Sequence, residues 1–131
     1  YIKKLLPKLF ASELAMHNVK LTLLTADWAI NDFHNSNLAN KIPTNWSVRL
    51  VSWLNAKQPD QLENELTSAH ICIIPSDPND PNKAGASQNR PVDSIRAGCL
   101  TLASPLESYR ELSKVCLLGN NFIEMLMFAF E

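Results

Sequence analysis

The feature that most constrains this chain is the alternation of short apolar runs with amphipathic segments. Val19-Lys20-Leu21-Thr22-Leu23-Leu24-Thr25, Val48-Arg49-Leu50-Val51-Ser52-Trp53, Ile71-Cys72-Ile73-Ile74 and Cys99-Leu100-Thr101-Leu102-Ala103 have strand length and are rich in β-branched and apolar residues. A fifth, shorter strand is read at Val115–Leu118. Helical spacing fills the intervals. Ile2, Leu5, Leu6, Leu9, Phe10 and Leu14 predict a helix near residues 1–17, with Pro7 kinking it or delaying its start. Asp27 is placed to cap a helix running from Trp28 to about Phe33. Asn35 to Thr44 is polar and reads as loop or irregular helix. Pro59 suits the start of a helix carrying Leu62, Leu66 and Ala69 on its core face. Further helices are predicted near Asn89–Ala97, Glu107–Ser113 and Phe122–Glu131. Strand–helix alternation is the pattern of parallel crossovers. The expected fold class is therefore α/β: a doubly wound, mostly parallel, Rossmann-like sheet with helices on both faces.

Ile71–Ile74 is continuously apolar, which predicts a central strand covered on both faces and stopped by Pro75. The chain's 131 residues fit a single domain, 1–131. With 46% hydrophobic and 19% charged residues, a core is expected rather than disorder. The net charge of −1 gives no basic field for nucleic acid. No apolar run approaches membrane-span length, and the first residues lack the pattern of a signal peptide. A cytoplasmic protein is expected. The chain starts within a pattern and without Met, which suggests a piece of a larger protein. Cys72, Cys99 and Cys116 lack metal-ligand spacing and read as small buried residues, with a reactive thiol as the alternative. His17, His34 and His70 are isolated from other ligand types, so no metal site is expected. No P-loop, G-x-G-x-x-G or G-x-S-x-G motif occurs. Nor is there the acidic cluster and later Lys of a receiver domain.

Chemistry is expected where ligands bind in parallel sheets, beyond the carboxyl ends of the strands. The long polar segment Ser76–Ser87 follows such an end and leads to Ser87-Gln88-Asn89-Arg90-Pro91. Pro91 lacks an N–H and must lie in the first helical turn, so Asn89 or Arg90 is the expected N-cap. The free N–H groups and positive dipole end of that helix suit a phosphate. Arg90 would add a bidentate charge and Lys83 a mobile one. In the opposing reading, Arg90 pairs with Asp93 one turn on and only decorates the helix. Gly98 stands where a helix of this length should stop.

The stretch Asn89-Arg90-Pro91-Val92-Asp93-Ser94-Ile95-Arg96-Ala97-Gly98-Cys99-Leu100-Thr101-Leu102-Ala103-Ser104-Pro105 resembles the donor site of retaining GT-B glycosyltransferases. It shares an acidic residue early in a helix, a glycine stop, a strand ending in small residues, and a turn. Ala69-His70-Ile71-Cys72-Ile73-Ile74-Pro75-Ser76 is similar to the strand before that site. The resemblance implies the C-terminal, donor-binding half of such an enzyme, with the acceptor domain missing from this chain. It implies transfer of a hexose from a nucleoside-diphosphate sugar with retention at the anomeric carbon, and no cofactor beyond that substrate. Asp93 takes the place of the acid that accepts hydrogen bonds from the ribose diol. Eight positions earlier, where the family has another glutamate, stands Gly85. The family's Arg/Lys pair is expected before the first helix, in residues that this chain lacks. Trp53 and Leu54 match the strand end beside the base, where Trp53 either stacks on it or packs in the core. The donor-binding set implied is Asp93, Arg90, Asn89, Ser87, Lys83, Ser76, Trp53 and Leu54. The alternative is a non-catalytic nucleotide-binding or protein-interaction module of the same fold. The apolar last helix, Phe122–Phe130, is expected to pack on the missing part of the protein or on another copy.

Overall fold

In the computed structural model, which describes residues 2–52, 61–77, 79–81, 85 and 87–130, a serine divides the N-terminal amphipathic run. Helix α1 spans Ile2–Phe10 and contains Pro7. The expected single helix to residue 17 does not form. Ser12 donates its hydroxyl to the Leu9 carbonyl at 2.6 Å and accepts the Leu14 N–H at 3.2 Å. One side chain thus ends the first helix and caps a 3-10 segment, Glu13–Met16. This is the local competition with helix backbone that serine offers. The apolar spacing survives the break, since Leu5, Leu6, Leu9, Phe10 and Leu14 are all buried.

The chain forms two compact units, Lys3–Pro59 and Tyr1–Ile2 with Asp60–Glu131. In the first, strand β1 (Val19–Thr25) pairs in parallel with β2 (Trp46–Ser52), from Val19 opposite Trp46 to Thr25 opposite Ser52. Helix α2 (Asp27–His34) lies between them in sequence. Asp27 is its first residue rather than its cap, a position still favourable to an acid through the helix dipole. A 3-10 segment, Asn37–Lys41, follows and is capped by Ser36. Strand β2 begins two residues before the expected Val48. Trp46 is held there by its indole N–H on the Leu14 carbonyl at 3.1 Å and by an edge-to-face contact with Phe10 at 5.5 Å. Trp28 is exposed.

In the second unit, helix α3 (Gln61–Ser68) precedes β3 (Ile71–Ile74). Helix α4 (Asn89–Arg96) leads to β4 (Leu100–Ala103), a 3-10 segment (Glu107–Leu112), β5 (Leu117–Leu118) and helix α5 (Phe122–Phe130). The strand order is β3-β4-β5, all parallel. Ile74, Ala103, Leu106, Tyr109 and Cys116 form a buried cluster, with Cys72, Ile95, Leu112 and Leu118 packed against it. Side chains two apart on a strand share a face, so Cys72 with Ile74 and Thr101 with Ala103 line one side of this sheet.

The fold is α/β with parallel strands, but the expectation of one doubly wound sheet is corrected. The described strands form ladders of two and three, β1-β2 and β3-β4-β5. The central strand of the larger ladder is β4, not Ile71–Ile74. Alternation of helices and strands dictates parallel crossovers, but it does not specify which strands become neighbours. Burial follows the observed order: Thr101, Leu102 and Ala103 are wholly buried, whereas Ile71, Cys72 and Ile73 are only partly so. Among the described residues no helix is long and apolar enough to cross a membrane.

The end of α4 is a Schellman motif. Gly98 donates to the Ile95 carbonyl at 3.0 Å and Cys99 to the Ser94 carbonyl at 3.2 Å. Gly98 has φ +88°, the left-handed region, and open space where a Cβ would project. Gly98→Ala is therefore expected to cost about 1–2 kcal/mol from backbone conformation alone. A thermal unfolding midpoint unchanged by this substitution would contradict that assignment.

Candidate functional site

The carboxyl ends of β3 and β4 are fastened to each other. Ser104 donates its N–H to the Ile74 carbonyl at 3.1 Å, and Ser76 donates its N–H to the Ser104 hydroxyl oxygen at 2.7 Å. Ser104 is buried. Each strand is followed by a serine beside a proline, Pro75-Ser76 and Ser104-Pro105. The prolines stop the ladder and the serines replace it with a side-chain bond. Beyond Ser76, Asp77 folds the segment back, accepting the Asn79 N–H on its carboxylate at 2.9 Å and the Asp80 N–H on its carbonyl at 3.2 Å. This is an Asx turn.

Helix α4 begins at Asn89, so its N-cap is Gln88 rather than Asn89 or Arg90. Pro91 is the third helical residue and remains in the first turn, where its missing N–H leaves no intrahelical bond unmade. The first such bond runs from the Val92 N–H to the Gln88 carbonyl, at 3.0 Å. The reluctance of a residue before proline to be helical misplaced the boundary for Asn89 and Arg90. Two anchors hold the turn. Ser87 accepts the Asn89 N–H at 3.2 Å. The Gln88 carboxamide donates to the Ser108 carbonyl at 2.5 Å, with Glu111 at 3.5 Å. The start of α4 is thereby tied to the 3-10 segment that follows β4.

These anchors alter the anion chemistry of the helix start. The Asn89 N–H is already used and Pro91 has none, so this end presents fewer backbone donors than a standard one. Arg90 is exposed at the second helical position. Its guanidinium acts on the phenol of buried Tyr109: burial raises the Tyr109 pKa, the Arg90 charge offsets part of that rise, and Cys116 adds to it. Asp93 is exposed one turn further along α4.

Of the expected donor-site residues, Ser76 lies at the end of β3, and Ser87, Asn89, Arg90 and Asp93 lie at or just before the start of α4. Ser87 and Asn89 are brought into hydrogen-bond contact. Lys83, Trp53 and Leu54 lie outside the described residues. Gly85, at the position expected for an acid, is exposed in a turn, with nothing near where a Cβ would project. Sequence reasoning missed Gln88, Ser104 and Tyr109. The matched Ser–Pro punctuation at the two strand ends was the available signal for Ser104. Nothing local distinguished Gln88 or Tyr109, whose roles arise from contacts made across the fold.

The cysteines surround the same core. Cys99 is buried and donates its thiol to the Leu66 carbonyl at 3.0 Å. Burial pushes the Cys72 thiol above its ordinary pKa; a hydrogen bond with Ser94 partly offsets this, and Cys99 adds to it. Burial also raises the Cys116 thiol, with Cys72 contributing in the same direction. Raised values make weak nucleophiles, because the thiolate is the reactive form. Both thiols are expected to alkylate far more slowly than free cysteine at pH 8 and to become reactive in denaturant, as mass spectrometry of alkylated protein would reveal. Between its ordinary and raised pKa, each thiol is ionised when unfolded and protonated when folded. The unfolded state then binds fewer protons, so this part of the stability is complete at neutral pH and lost as pH rises above about 9. Urea midpoints that hold level from pH 8 to 11 would contradict this.

Among the described residues no group of three or more His, Cys, Asp or Glu side chains is placed to hold a metal ion. Comparison of the chain with family models, curated proteins and solved structures finds no match in any of the three.

Proposed function

We propose that this chain is the donor-binding part of a glycosyltransferase, taking a nucleoside-diphosphate sugar at the carboxyl end of the β3-β4-β5 sheet. The observation that carries the reading is the junction of Ser76 with Ser104. It holds two parallel strand ends together in a unit whose intervening helix, α4, carries Arg90 at its second position and Asp93 about one turn later. Carboxyl ends of parallel strands are where such sheets take ligands. In this reading Arg90 neutralises phosphate charge, and Lys83 adds a second cation. Asn89, Ser87 and Ser76 offer polar contacts, and Asp93 accepts hydrogen bonds from the ribose diol. Trp53 and Leu54 border the base. The acceptor would be held by a separate N-terminal domain, and the hexosyl group would transfer with retention in the cytoplasm. Stabilising the charge of the departing diphosphate falls to basic side chains more than to backbone donors, because Ser87 and Pro91 remove two of those.

Isothermal titration with uridine, guanosine and adenosine diphosphates tests this. One of the three is expected to bind, and Asp93→Ala is expected to weaken it about tenfold, equivalent to about 1.4 kcal/mol. If none binds, or Asp93→Ala leaves the affinity unchanged, the site assignment is wrong.

A second reading, a non-catalytic nucleotide-binding or protein-interaction module, is favoured by Gly85. The family pattern puts a sugar-contacting carboxylate there, and this chain has only a hydrogen. Binding of the diphosphate without turnover of any nucleotide sugar by the intact protein would favour this second reading.

A further inference from the structure

We draw no further inference here: the strongest candidate, the exposed apolar surface of α5 around Phe128, carries nothing because nothing in the structure shows what covers it.

Discussion

Leu102→Ala is expected to lower the stability of the Asp60–Glu131 unit by about 3 kcal/mol. Leu102 is wholly buried at the middle of β4, in register with Ile73 on one side and Leu117 on the other. Truncation removes three carbons, and at about 0.8 kcal/mol each the lost transfer free energy alone is about 2.4 kcal/mol. The remainder is the cavity. A central strand is hydrogen-bonded on both edges and cannot slide inward to fill it, so collapse should be incomplete. Leu117→Ala is the internal comparison. Leu117 occupies the same row one strand over but is 37% exposed, so its removal should cost about 1 kcal/mol. Urea denaturation of the two variants and the parent should separate them by midpoint with little change in slope. Equal losses would mean that β4 is not the centre of this unit.

That contrast also marks what the sequence can and cannot reveal. Both leucines lie in short apolar runs, and no local property tells a central strand from an edge strand. The continuous run Ile71–Ile74 was the better candidate for the centre by composition. It lost that place to Leu100–Ala103 because neighbour order is set by crossovers, which are decided by packing distant in sequence. What is written locally was legible. Gly98 lies one residue past the α4 C-cap with positive φ, as a helix-stopping glycine should. Pro75 and Pro105 lie just past strand ends. Phe10 and Leu14, four apart as on one helix face, are both buried although Ser12 breaks the helix between them.

The candidate site divides in the same way. Pro91 restricted the start of α4 to a few residues, and Gln88 proved to be the cap. The choice among Gln88, Asn89 and Arg90 depended on the Ser108 carbonyl, twenty residues away in the chain. Ser87 and Asn89 were legible as polar residues beside a helix start, but not as partners that consume one of its N–H groups. That detail matters for function. On the proposed reading, it would shift the work of holding an anion from the backbone to Arg90 and make the charge of that side chain, rather than the helix dipole, the quantity to perturb.

Beneath the same helix, Thr101→Val is expected to cost about 2 kcal/mol although it changes shape very little. Thr101 and Ser94 are both completely buried, and their hydroxyl oxygens are 2.6 Å apart. The pair joins the middle of α4 to the middle of β4. Valine keeps the methyl group and the strand preference of threonine, so packing and propensity are nearly conserved. What changes is that the Ser94 hydroxyl loses the Thr101 hydroxyl that it meets at 2.6 Å in the core. Ser94→Ala should cost about 1–2 kcal/mol by the converse route, because among the described residues Thr101 then retains only the Cys99 carbonyl at 3.4 Å. Combining the substitutions removes both polar groups, so the double variant should be more stable than the sum of the single losses implies, by about 1 kcal/mol. Strict additivity would show that the two hydroxyls are not coupled. The double variant also separates packing from placement. On the proposed nucleotide-binding reading, if the hydroxyl pair only satisfies a buried polar need, recovered stability should come with unchanged nucleotide affinity. If it also fixes the rotation of α4 on the sheet, Arg90 and Asp93 should lose their alignment, and affinity should fall even where the melting temperature has recovered.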